Sequence, residues 1–170
     1  GQIERSWEWY RLPVANPMAT SHLLSKTSVL KGTIEHLRTA VHRQMVSDVP
    51  VGAFLSGGLD SSAIVALARE RDRDIRCFTI DAAGSGNEGM ADDLPYAKRV
   101  AAHLKVPLEV VRVDPIQMAM DLPNMVAQLD EPLADPAPLN VLYISRLARQ
   151  RGIKVLLSGA GGDDLFTGYR

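Results

Sequence analysis

The sequence predicts an α/β protein in which a parallel sheet is covered by helices on both faces. Two observations carry this. Short, largely apolar segments at 51–55, 75–80, 108–113 and 153–157 read as strands, and the first, Val51 to Leu55, runs without alternation, as a strand buried on both faces does. Between them lie stretches with apolar residues at helical spacing, so that strand and helix alternate along the chain, the order that builds parallel crossover units.

Residues 1–26 carry Trp7, Trp9, Tyr10, Pro13 and Pro17 without a sustained period. They read as a linker or the tail of an absent upstream domain, against which the three aromatic residues would pack. One domain is expected over 27–170. Val29, Leu30, Ile34, Leu37, Val41 and Met45 recur at helical spacing, and that helix should end near Asp48, because Val49 precedes Pro50. A second helix carries Ile64, Val65, Leu67 and Ala68. After the strand at 75–80, the Gly-rich stretch from Ala82 to Asp93 reads as a loop, and Pro95 suits the first turn of a helix running to about Leu104. A helix from Pro115 to Gln128 contains Pro123, a candidate break. Asp130 to Pro138, with three prolines, reads as a shaped loop before a helix over Leu139–Arg149.

Composition narrows the function. In 170 residues, 19 Lys and Arg face 20 Asp and Glu, a net charge of −1, which argues against a nucleic-acid footprint or a polybasic membrane anchor. Aromatics are 5%, too sparse for a base-stacking platform. The single cysteine, Cys77, excludes an internal disulfide and a Cys-based zinc site and reads as a small core residue. With neither an 18-residue apolar run nor a secretory leader, the expectation is a cytoplasmic protein. The four histidines share no ligand spacing.

Ligands of a parallel α/β sheet bind at the carboxyl ends of strands, and two Gly-rich loops lie there. In Ser56-Gly57-Gly58-Leu59-Asp60-Ser61, the glycines let the backbone approach a ligand. The amides of 57–61 would then converge with a helix N-terminus on an anion, helped by the hydroxyls of Ser56 and Ser61. Asp60 fits among phosphates once a divalent cation is included, since a carboxylate plus phosphate oxygens suits Mg²⁺; otherwise it is a helix cap. Gly58 stands where a Walker A loop needs Lys, so that reading fails. The second loop, Ser158-Gly159-Ala160-Gly161-Gly162-Asp163-Asp164, adds two carboxylates, which could cap a helix. Carboxylates on both loops facing one anion site call for a metal between them.

The first motif resembles the pyrophosphate loop of the N-type ATP pyrophosphatases. The second, continued by Leu165, Phe166, Gly168 and Tyr169, resembles that of the class B glutamine-dependent asparagine synthetases. The helix at 29–46, Asp130-Glu131-Pro132 and the helix over Leu139–Arg149 fit the same family. The resemblance implies an adenine-nucleotide alpha-hydrolase-like fold. It also implies an ATP-dependent ligase that makes an acyl-adenylate from a small carboxylic acid, releases pyrophosphate, and lets ammonia displace AMP. By the same resemblance, Ser56, Gly58, Asp60 and Ser61 match the pyrophosphate-binding positions, Leu55, Ile80, Ser158 and Gly159 line the adenosine, and Gly57 and Leu59 of the same loop count among the nucleotide-binding residues. Asp60 and Asp163 ligate Mg²⁺, and Asp164 joins them as a catalytic carboxylate. Aspartate is the first choice of acceptor, ammonia comes from a glutaminase domain outside this chain, and a homodimer is compatible with the family.

The sequence departs from that pattern at several places. Ala160 replaces a Glu placed to handle the proton of ammonia, and a positioned base contributes about 10²–10⁴ in rate. This opens a non-aspartate acceptor, such as a sugar uronic acid or a lactam-forming acid, or a nucleotide-binding module without turnover. Asp164 replaces a Glu. Gly1 stands where the glutaminase domain has its nucleophilic Cys, so no glutamine hydrolysis is expected, and the chain stops before the family's phosphate-binding Lys, as a fragment would. Gly84-Ser85-Gly86-Asn87-Glu88-Gly89 matches a dinucleotide fingerprint by spacing, but Asp92 and Asp93, read as a capping pair, and Pro95 start the next helix several residues later. It reads as a mobile loop over the site, and an unrelated dinucleotide-binding domain is the remaining alternative.

Overall fold

The structure, a computed structural model, describes residues 5–8, 25–82, 93–131, 133, 135, 137–166 and 168. The chain falls into two compact units, Gly1–Leu37 and Arg38–Arg170. In the first, residues 5–8 are exposed and irregular, Trp7 among them; Trp9 and Tyr10 lie outside the described residues. Helix α1 (Lys26–Gln44) starts in this unit, where the Ser25 hydroxyl accepts the Ser28 N–H at 3.1 Å and so caps it.

The second unit takes in the end of α1, where Val41 is buried and Arg38 donates to the Glu70 carboxylate at 2.8 Å. His42 lies 3.1 Å from the Leu67 carbonyl, a structural role for this histidine. The helix stops four residues before Asp48: Val46 N–H bonds back to Arg43 in a tightened turn, and the Ser47 hydroxyl captures the Val49 N–H at 3.2 Å.

Four parallel strands follow with helices between them: β1 (Val51–Phe54), α2 (Leu59–Ala68), β2 (Cys77–Ala82), α3 (Leu94–Leu104), β3 (Leu108–Val113), α4 (Pro115–Val126), α5 (Ala137–Gln150), β4 (Val155–Leu157) and α6 (Gly162–Phe166). The sheet order is β3-β2-β1-β4, so the chain reverses its direction of travel across the sheet between β1 and β4. Register pairs Ala53 with Cys77 on one side and with Leu157 on the other. On β2, Phe78 packs with Ile144 and Ala148 of α5 and with Ile153, and Ile80 packs against the same cluster. The alternate residues Cys77 and Thr79 are as deeply buried, so the opposite face of the sheet is covered as well. Burial pushes the Cys77 thiol up to about 12, which leaves it an inert core group.

The element ends that differ from expectation have local causes. Beta strand β4 begins at Val155, because Gly152 (φ +79°) turns the chain and the Ile153 N–H bonds back to the Ala148 carbonyl at 2.9 Å, ending α5. Strand pairing of β2 starts at Cys77, after Ile75 has entered the core. Pro123 does not break α4: the Ala127 N–H still reaches the Pro123 carbonyl at 3.1 Å. Helix α5 begins two residues early, since the Asp135 carboxylate accepts the Ala137 N–H at 2.8 Å and Pro138 falls in the first turn, where its missing N–H costs nothing.

Helices α4 and α5 are clasped through a polar pair. Tyr143, buried on α5, donates its hydroxyl to Asp121 Oδ2 on α4 at 2.5 Å, and Arg146 stands 3.6 Å from the same oxygen. Burial, then the Asp121 carboxylate, pushes the Tyr143 hydroxyl up to about 12. The hydrogen bond from Tyr143, with that of Gln117 and the charge of Arg146, holds Asp121 below the ordinary carboxylate range. A tyrosine raised in the folded state stabilises fully below its ordinary value and loses that contribution as pH climbs through the raised one. Thermal stability should therefore fall more steeply between pH 10 and 12 in the native protein than in Tyr143→Phe, as melting curves across that interval would read. The contribution of Asp121 has the opposite sense: it is present above the ordinary carboxylate range and is lost as pH falls through the depressed value.

Candidate functional site

The loop after β1 is shaped by one glycine and three serines. Gly57 has φ +86°, and a Cβ there would run into the backbone of Tyr96 and Ala97 on α3, so the chain passes where only glycine fits. The hydroxyls of Ser56 and Ser61 are 3.0 Å apart, the Gly58 N–H donates to Ser56 Oγ at 3.2 Å, and Ser62 Oγ donates to the Gly58 carbonyl at 2.6 Å. Gly58 is the N-cap of α2, with no side-chain cap bond, so the capping role allowed for Asp60 does not hold. The first intrahelical bond is made by the Ser62 N–H to the Gly58 carbonyl. The amides of Leu59, Asp60 and Ser61 precede it and present the positive end of a ten-residue helix.

The loop after β4 lies directly against this one. A Cβ on Gly159 would stand 2.8 Å from the Ser61 nitrogen, and a Cβ on Gly162 would overlap the Asp60 carboxylate. The second motif thus needs glycine at 159 and 162 because the first motif occupies that space. Gly161 turns the chain at φ +88°, and the Ser158 hydroxyl holds the Ala160 N–H at 3.1 Å. Short helix α6 then presents Asp163 and Asp164 in its first turn. Asp93 is the N-cap of α3, through its backbone and without a side-chain cap bond; Asp92 and the loop with Gly84–Gly89 lie outside the described residues.

Two cavities follow the strand ends. One, of about 430 Å³, is lined by Ser56, Gly58, Leu59, Asp60, Ser61, Ser158, Gly159, Ala160 and Asp163. The other, of about 250 Å³, is lined by Leu55, Phe78, Ile80, Asn140, Val141 and Ile144 among others. Phe54, Ser56 and Ser158 belong to both walls, so they form one cleft with a polar end and an apolar end. It opens where the strand order reverses, between β1 and β4, the place at which such sheets bind ligands. Of the residues expected from sequence, Gly57 lines neither cavity and instead seats the loop on α3, and Asp164 is exposed on α6 outside both. Phe54, Asn140 and Val141 were not anticipated. Phe54 could have been read as the last strand residue before the loop, whereas nothing in sequence links 140 and 141 to a loop some eighty residues away. A larger hollow of about 640 Å³ between α2 and α3 shares only Leu59 with the cleft and carries no carboxylate in its wall.

The polar end fits a divalent cation bound together with phosphates. Asp60 and Asp163 bring hard oxygen donors to one wall, and no group of three or more His, Cys, Asp or Glu among the described residues forms a full protein cage. Two carboxylates with the remaining positions left to phosphate and water is the donor set of Mg²⁺.

Residues 33–170 match the family model described as asparagine synthase. The chain is a member of the asparagine synthase family. Its similarity to a glutamine-hydrolyzing asparagine synthetase 1 of Bacillus subtilis (strain 168) is 36% identity over 141 residues, covering 83% of this chain and 22% of that protein. A putative glutamine-hydrolyzing asparagine synthetase of Mycobacterium bovis is 42% identical over 134 residues, 78% of this chain and 20% of the relative. The chain therefore spans about a fifth of the length of these relatives. Among solved structures, the U34-tRNA thiolase NcsA of Methanococcus maripaludis aligns over 82% of this chain and 48% of its own, with a TM-score of 0.58 and 18% identity. That likeness is one of fold, and the fold of this asparagine synthase family member is adenine-nucleotide alpha-hydrolase-like. No described helix is long and apolar enough to cross a membrane.

Proposed function

We propose that this chain is the nucleotide-binding part of an ATP-dependent amide-forming ligase, an asparagine synthase that activates a carboxylate as its acyl-adenylate. The observation that carries the reading is the contact of the two loops, with the Asp60 carboxylate set against Gly162 and Asp163 on the same wall. The amides at the start of α2, with Ser56 and Ser61, hold the β- and γ-phosphates, and the nucleoside enters the apolar end beside Ile80 and Ser158. A carboxylate oxygen of the acceptor attacks the α-phosphorus, the bond to the bridging oxygen breaks, and pyrophosphate leaves. Ammonia then attacks the acyl carbon, AMP departs with the former carboxylate oxygen, and the nitrogen loses a proton. Bound at Asp60 and Asp163, Mg²⁺ supplies positive charge against that building on the pyrophosphate.

Aspartate with ammonia from a glutaminase domain is the first acceptor reading. A second is favoured by one observation: Ala160 puts a methyl group in the polar wall, so position 160 offers no carboxylate to take the proton of ammonia. An acceptor other than aspartate, such as a uronic acid, or one that carries its own amine, fits that wall. ATP–pyrophosphate exchange by the full-length protein against a panel of carboxylic acids tests both. Exchange that depends on one acid is expected and identifies the acceptor; no exchange with any acid would leave a nucleotide-binding module without turnover and overturn the ligase reading.

A further inference from the structure

The apolar end of the cleft, a cavity of about 250 Å³, is walled by Phe54, Phe78, Ile80, Val141 and Ile144. Most polar side chains in its wall are engaged or single-handed. Ser56 is bonded to Ser61 and Gly58, Ser158 holds Ala160, Asp93 has partners of its own, and Thr79 offers one hydroxyl on a central strand. Asn140 differs from all of these. It sits half-buried in the first turn of α5, and its side-chain amide bonds to no described residue. A carboxamide offers one acceptor and one donor side by side, the complement of the adenine edge, where an amino group stands next to a ring nitrogen.

We propose that Asn140 reads the base of the nucleotide, its Oδ1 accepting from the exocyclic amino group of adenine and its Nδ2 donating to the adjacent ring nitrogen. This rests on the reading of the cleft as an ATP site. Asn140 is placed for the role by α5, whose next turn carries Tyr143, held to Asp121 of α4, so the amide belongs to an anchored helix. It is thus a specificity residue that touches substrate and takes no part in bond making.

The test compares Kd for Mg²⁺-ATP with Kd for the purine riboside triphosphate, which carries hydrogen in place of the amino group. The full-length wild-type protein should bind ATP at least about fivefold more tightly than the analogue. In Asn140→Leu that preference should vanish, with the two affinities within about twofold of each other. Asn140→Asp keeps the acceptor but sets an oxygen against the ring nitrogen, so it should bind ATP at least about fivefold more weakly than wild type. That second variant decides the matter if Asn140→Leu does not fold. A wild type that binds no Mg²⁺-ATP would overturn the ATP reading of the cleft, and this inference with it. Tight ATP binding with the wild-type preference retained in Asn140→Leu, or an unchanged ATP affinity in Asn140→Asp, would overturn the role of Asn140 alone.

Discussion

Replacing either Asp60 or Asp163 by Ala is expected to remove the magnesium-dependent part of ATP binding and to slow ATP–pyrophosphate exchange by about 10²–10³-fold. The two carboxylates come from loops about a hundred residues apart in sequence, yet both line the polar end of one cleft. Each alone is an ordinary first-turn acid, favourable near the N-terminus of its helix. In the proposed ATP site they place two negative charges beside the triphosphate, an arrangement that would repel the nucleotide unless a cation intervened. On that proposal, losing one carboxylate would remove one of the cation's two protein ligands, so either variant should show the same defect. The folded state should survive, because both side chains are partly exposed and neither belongs to the core.

The largest effect on stability is expected at Gly57, a residue that lines no part of the cleft. Its φ of +86° costs an L-residue about 1–2 kcal/mol, and a side chain would also meet the first turn of α3, an overpacking of about 1–3 kcal/mol. Gly57→Val should therefore lose about 2–5 kcal/mol, a large share of the roughly 5–15 kcal/mol typical of a domain. A fall in the urea midpoint at unchanged slope would record it. The neighbouring Gly58 has φ −68°, and its nearest contact for an added Cβ is Ser56 Oγ at 3.4 Å. Gly58→Ala should cost less than about 1 kcal/mol. Two adjacent glycines of one motif thus separate into one that shapes the backbone and one that leaves room above it.

The strand and helix order could be read from sequence because buried parallel strands and amphipathic helices leave periodic signals that tertiary contacts reinforce. Val51–Phe54 and Leu108–Val113 fell where the apolar runs placed them. Ends were less legible where a side chain or carbonyl outside the run intervened, as when Ser47 shortened α1, Ile153 closed α5, and Asp135 started α5 early. In the site, both loops were visible as Gly and Asp clusters at strand ends. What sequence could not give was their mutual fit: Gly159 and Gly162 are small because Asp60 and Ser61 lie against them. Nor could it find Asn140, whose place in the cleft depends on α5 crossing the sheet beside β2. Asp164, adjacent to Asp163 in sequence, points the same lesson the other way, since one residue along α6 takes it out of the wall and into solvent.

Titration calorimetry of ATP into the full-length protein, with and without Mg²⁺, tests most directly whether the two loops form one metal–nucleotide site. Wild type should bind ATP in a magnesium-dependent manner, and Asp60→Ala and Asp163→Ala should each lose that dependence to the same extent while remaining folded. Binding that ignores magnesium, or that survives intact in either variant, would contradict a shared site built from both loops.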